Sequence, residues 1–110
     1  MKIVNQTSKK ILSETAIMPS NPFLRAKGML GYKNGICVIL NTRFGIHTIG
    51  MKYPIDLLVL NNKKRVVFLK IGLKPNRVFL YNPIYKKVIE LPKDSINRTK
   101  TKINDIISIK

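Results

Sequence analysis

Apolar residues in this chain come in runs of strand length. Lys10–Met18, Ile36–Leu40, Ile55–Asn61, Arg65–Ile71, Arg77–Tyr81, Tyr85–Leu91 and Asp105–Ile109 are rich in Ile, Val, Leu and aromatic residues, with Gly, Pro or Asn between them. Short β-branched runs with frequent turn formers read as about seven strands. No run approaches the 18 apolar residues of a membrane-crossing helix. Pro54, Pro75, Pro83 and Pro92 are read as flanking strands, because proline cannot donate to a ladder. Asn61-Asn62-Lys63-Lys64 joins two of the runs and predicts a hairpin turn, with asparagine tolerating the left-handed conformation. The Ile55 and Arg65 strands are therefore expected to pair antiparallel.

Helix signals are few. Asn21-Pro22 supplies a cap and a first-turn proline, and Gly28 a stop, for a helix of about two turns. A second helical turn is expected at Asp94–Arg98, capped by Asp94 or Ser95. Two short helices cannot cover a seven-stranded sheet on both faces. The expected fold is therefore mainly β: a small single-domain β-barrel, or a two-layer curled antiparallel sheet, with one or two short helices. Residues 11–110 form the barrel-like domain, and residues 1–10 a polar N-terminal segment with poor order. At 110 residues there is room for one core and no separate cofactor domain.

The charge is the second constraint. Lys and Arg total 21 against 5 Asp and Glu, a net charge of +16, with 45% hydrophobic residues. That hydrophobic content excludes a disordered basic tail. Both halves of the chain carry the excess, so the folded body itself is basic. A coding bias toward Lys, Asn and Ile would raise Glu as well, yet Glu occurs only at Glu14 and Glu90. A field of this sign attracts nucleic acid, anionic lipid or other polyanions without choosing among them. One cysteine, Cys37, excludes an internal disulfide and reads as a small buried apolar residue. The polar N-terminus lacks a signal-like apolar stretch, which makes a cytoplasmic protein the default expectation.

Three segments stand in order: Phe23-Leu24-Arg25-Ala26-Lys27-Gly28-Met29-Leu30-Gly31, then Ile46-His47-Thr48-Ile49-Gly50-Met51-Lys52-Tyr53-Pro54-Ile55-Asp56-Leu57-Leu58-Val59-Leu60, then Val88-Ile89-Glu90-Leu91-Pro92 with Asn104-Asp105. From about Ala16 to Ile109 the chain resembles the small bacterial and archaeal family known as domain of unknown function 192, and the second segment is the specific one. The resemblance implies a compact, mostly β, barrel-like domain with no established activity or cofactor. Where that family usually has Ala-Gly after Glu-Leu-Pro, this chain has Lys93-Asp94, and Asn104 replaces the usual Gly before Asp105. Both reversals must be made here without glycine.

Candidate site residues fall in two groups. Period-2 alternation places Asp56 on one face with Leu58 and Leu60, so its carboxylate is part-buried and must find donors. His47, Arg25 and the amides of a nearby turn are the candidate partners. An acid/base pair of His47 with Asp56 would be the enzymatic arrangement. The alternative is a structural tie from strand to loop, and no serine or cysteine nucleophile stands beside the pair. His47 and Met51 share a face in an extended chain, but two ligands do not make a metal site. Gly28, Gly31 and Gly35 follow a helix instead of preceding one, unlike a phosphate-cradling loop.

The basic group is Lys63, Lys64 and Arg65 at the hairpin tip, Lys86 and Lys87 in a strand, and Arg98, Lys100 and Lys102. If Arg98–Lys102 is extended, its three cations project to one side and could track phosphates, with Tyr81 or Tyr85 as a stacking face. A solvated edge guarded by lysines is the competing account. The sequence thus favours a small basic binding or accessory module, non-enzymatic and cofactor-free, with an anionic partner. An enzyme with its pocket at Asp56 and His47, and a structural assembly subunit, are the alternatives.

Overall fold

The computed structural model describes residues 1–19, 36–43 and 45–110. Among them are nine strands and one helix: β1 (Ile3–Asn5), β2 (Lys10–Ser13), β3 (Val38–Asn41), β4 (Gly45–His47), β5 (Ile55–Leu60), β6 (Val66–Leu73), β7 (Val78–Leu80), β8 (Lys87–Pro92), α1 (Ser95–Thr99) and β9 (Ile107–Ile109). The fold is mainly β, as expected, but the described strands form three antiparallel sheets and not a closed barrel. Their orders are β2-β1-β9, β3-β8-β5-β6 and β4-β7.

The four-stranded sheet is the centre, and β5 shows why. All six of its residues are buried. Leu58 and Leu60 join Ile3 of β1, Leu12 of β2, Ile96 of α1 and Ile107 of β9 in one apolar cluster. Ile55, Leu57 and Val59 join Ile46 of β4, Leu73 of β6 and Val88 of β8 in a second, with Phe79 of β7 packed against it. The strict alternation of β5 thus sends successive side chains into two cores, one on each face. The three-stranded sheet and α1 cover the first face, and the two-stranded sheet covers the second. Between β4 and β7 the approach is close enough to require glycine: a Cβ on Gly45 would sit 2.5 Å from the Phe79 carbonyl oxygen.

Several expectations change in detail. Residues 1–10 are not a loose arm, because β1 is the middle strand of its sheet, with Ile3 and Asn5 buried. Pro92 is the last residue of β8 rather than a flanking residue. The helix expected from Asn21 to Gly28 lies outside the described residues. At the 61–64 hairpin, Asn61 acts through its side chain: Oδ1 accepts from the Lys63 and Arg65 amides at 2.9 and 3.0 Å, while Lys64 takes the left-handed conformation at φ 61°. The two glycine-free reversals do use that conformation, at Asp94 (φ 71°) and Asn104 (φ 79°), residue types that tolerate it.

Candidate functional site

Asp56 is fully buried on β5, and both of its oxygens are occupied. Oδ1 accepts from the Gly72 amide of β6 at 3.0 Å, and Oδ2 from the Ile96 amide in the first turn of α1 at 2.9 Å. Asp94, expected as the cap, makes no side-chain cap bond. The carboxylate that satisfies the helix start therefore comes from a strand 40 residues earlier in the chain, and favours it as a side-chain cap would. Gly72 has a positive φ of 65°, so the same carboxylate also fixes a kink in β6.

His47 is not its partner. It lies on β4, in the two-stranded sheet, with an exposed side chain whose Nδ1 accepts from the Ile49 amide at 3.3 Å. Arg25, the other side-chain partner considered, lies outside the described residues. The acid/base pair is thus not assembled by Asp56 and His47: one is committed to backbone amides and the other faces solvent.

A second buried polar cluster had no signal in the sequence. Asn5 Nδ2 donates to Thr101 Oγ1 at 3.0 Å and to Asp105 Oδ2 at 2.9 Å, and that oxygen also accepts from the Lys102 amide at 2.9 Å. Asn5 Oδ1 accepts from the Thr7 and Ser8 amides. This network ties β1 to the turn before β9, across most of the chain length.

The basic residues divide by whether their charge is already engaged. Arg98 donates to the Ile11 and Leu12 carbonyl oxygens at 3.0 and 3.2 Å, and Arg65 to that of Asn104 at 2.9 Å. Both guanidiniums are structural ties. The row expected from Arg98 through Lys102 does not exist, because α1 runs through Thr99 and Lys100 turns left-handed at φ 55°. Lys100 and Lys102 are exposed but do not lie on an extended face.

Lys63, Lys64, Lys86 and Lys87 fare differently. Antiparallel pairing of β5 with β8 sets Leu60 opposite Lys87, which carries the hairpin tip to the start of β8. Lys64, Lys86 and Lys87 line one cleft of about 170 Å³ with Leu60, Asn61 and Asn62. Lys63 is exposed in the same turn. At the opposite end of β6 lies a second cleft, of about 330 Å³, lined by Lys70, Lys74, Arg77 and Phe79 among others. None of these four residues was a candidate from the sequence.

The aromatic residues also differ from expectation. Tyr81 donates its hydroxyl to the Thr42 carbonyl oxygen and packs, like Tyr85, against the second core. Burial pushes the Tyr81 hydroxyl pKa up to about 12. Neither ring is an open stacking platform. Among the described residues the exposed ring is Phe68 of β6, which stands against Phe79 with centroids 5.5 Å apart at 59°. Cys37 is fully buried, and burial, with the Glu90 carboxylate nearby, pushes its thiol pKa far up.

Among the described residues the buried charged side chains are all acidic and the exposed ones mostly basic. Asp56, Glu90 and Asp105 are buried, leaving Glu14 and Asp94 as the exposed acids. No described lysine or arginine is buried. The donors found on Asp56 and Asp105 are amides and an asparagine, so these acids do not draw surface cations inward.

No protein-family model and no curated protein sequence matches the chain. Two solved structures share its fold. One is a protein of unknown function from Novosphingobium aromaticivorans DSM 12444, with TM-score 0.80 at 15% identity, covering 99% of this chain and 84% of the other. The second is a proposed transcription regulator from Sinorhizobium meliloti 1021, with TM-score 0.76 at 13% identity, covering 97% and 89%. At this level of identity the likeness establishes the fold. No described helix is long and apolar enough to cross a membrane.

Proposed function

We propose that the chain is a non-enzymatic binding module for a polyanion, with nucleic acid the leading class, in a domain of the unknown-function family that its Ile46–Leu60 segment resembles. The observation that carries this reading is the segregation of charge. With three of five acids buried, Asp56 and Asp105 among them on neutral donors, the accessible surface is more one-sided than the net charge of +16 conveys. Such a surface raises encounter rates with anionic polymers and supplies sequence-independent affinity. The regulator-like neighbour is consistent with nucleic acid as partner. Asp56 supports the non-enzymatic side, since its carboxylate is fully buried and bound to two backbone amides, away from any solvent-borne substrate.

The test is a salt titration. Binding of labelled oligonucleotides, heparin and anionic vesicles is followed by anisotropy or flotation between about 50 and 200 mM salt, where several neutralised phosphates predict a loss of more than tenfold. The triple variant Lys64→Gln, Lys86→Gln, Lys87→Gln is expected to flatten that dependence. Affinity that is absent at low salt, or equal at both ends of the range, would falsify the reading.

A further inference from the structure

The cleft at the open end of the β5–β6 pair places three cations next to an exposed aromatic ring, Phe68, which adjoins the cleft through Phe79. Its floor is β6 from Lys70 to Leu73, and its wall is the 74–77 turn and the start of β7. That turn is clamped. Buried Thr48 donates its hydroxyl to the Lys74 carbonyl oxygen at 2.7 Å and accepts from the Arg77 amide at 2.9 Å. The Thr48 amide donates to the Arg77 carbonyl oxygen at 2.8 Å, and the Asn76 amide to that of Thr48 at 2.9 Å. Asn76 Oδ1 in turn accepts from the Gly50 amide at 3.0 Å. The backbone that presents Lys74 and Arg77 is therefore held at both ends before any ligand arrives, and the Arg77 guanidinium lies over its own turn, with Nη1 donating to the Pro75 and Asn76 carbonyl oxygens, both at 3.4 Å.

Phe68 and Lys70 alternate with Leu69 on β6 and share a face, about 7 Å apart along the strand. Phe68 is 50% exposed although it is a large apolar side chain. Its edge is supported by Phe79, which itself lines the cleft, and Phe79 is followed by Tyr81, at 6.5 Å. A cation two residues from an exposed ring, with two more cations lining the same cleft, offers the two kinds of group that a single strand presents to a protein, charge for its phosphates and a flat ring for an unstacked base. Single strands are bound in this manner: basic groups track phosphates while successive bases lie on aromatic faces. A duplex keeps its bases inside and could use only the cations.

We infer that this cleft is a single-stranded nucleic-acid site in which Phe68 stacks a base and Lys70, Lys74 and Arg77 hold the flanking phosphates. The inference rests on the polyanion reading above and adds to it a demand for bases. Wild-type protein is titrated with a ten-nucleotide single-stranded DNA, the matching RNA, an abasic strand of equal length, a duplex, heparin and anionic vesicles.

The base-bearing strands are expected to bind about tenfold more tightly than the abasic one. Phe68→Ala should remove that preference and leave heparin binding unchanged. Phe68→Leu, which keeps apolar bulk without a flat ring, should behave as Phe68→Ala does and guards against loss of folding. Lys70→Gln with Lys74→Gln should lower the salt slope for single strands by about 1.4. Equal affinity for abasic and base-bearing strands, Phe68 variants that bind both as wild type does, or stronger binding to duplex or vesicles would overturn the site while leaving a polyanion module standing. Failure of every ligand to bind at low salt would remove both.

Discussion

The two ends of the β5–β6 pair carry similar charge and are built in different ways. At the closed end, the 61–64 turn is held by its own first residue. Asn61 bonds Lys63 and Arg65 through Oδ1, and its backbone bonds Lys64 and Arg65. At the open end nothing local suffices: Gly72 depends on Asp56, and the 74–77 turn depends on Thr48. The closed end is held mainly by Asn61 of its own loop, with one tie outside it, from the Ile107 amide to the Lys64 carbonyl oxygen at 2.8 Å. The open end holds its cations on a backbone anchored to the core, beside a ring, and such preorganisation is what lowers the ordering cost of recognition. Charge alone therefore does not distinguish the two clefts; their support does.

The contrast can be broken most severely at Asp56. Asp56→Ala leaves two buried amides unpartnered, and each charge-assisted bond is worth roughly 1.5–3 kcal/mol. A loss of about 4 kcal/mol is expected in urea denaturation, with a fall of roughly 15 °C in melting temperature. A loss below about 1 kcal/mol would show that the kink at Gly72 and the start of α1 hold without this carboxylate.

Thr48→Val keeps the shape of the side chain and deletes one donor and one acceptor, so about 2 kcal/mol is expected, with faster hydrogen exchange at the Arg77 amide. Asn61→Ala should cost the least, about 1 kcal/mol, since it removes bonds within an exposed turn. Its effect on exchange should stay at Lys63 and Arg65. If Asn61→Ala also loosened Gly72 and Arg77, the two ends would be one cooperative unit and the contrast would fail.

This difference in support also decides what could be read from the sequence. The seven runs of apolar residues all contain strands, and the 61–64 hairpin pairs its neighbours antiparallel, because both signals are local. Burial of Asp56 followed from alternation along one strand. Its partners did not, since Gly72 and Ile96 meet it only once β5 lies between β6 and the end of β8. β1 was missed because its three residues sit in a segment read as polar, and β4 because its three begin with a glycine.

His47 was misplaced for a related reason. Alternation orders residues within a strand, but it does not say to which sheet the strand belongs, and β4 joins β7 instead of the central sheet. The extended row at Arg98–Lys102 failed because α1 continues through Thr99 and Lys100 takes the left-handed conformation. The clamp on the open-end turn was illegible for the same reason as Asp56's contacts: Thr48 and Arg77 are 29 residues apart.

The buried Cys37 sulfur has a practical consequence. It is sealed in the apolar cluster that holds Ile3, Leu58 and Ile96, and its thiolate form is suppressed by its surroundings. An alkylating dye can therefore reach it only when that cluster comes apart. The rate of labelling at that one atom counts the moments when the interior opens, so this chain carries its own clock for global unfolding without any engineered probe.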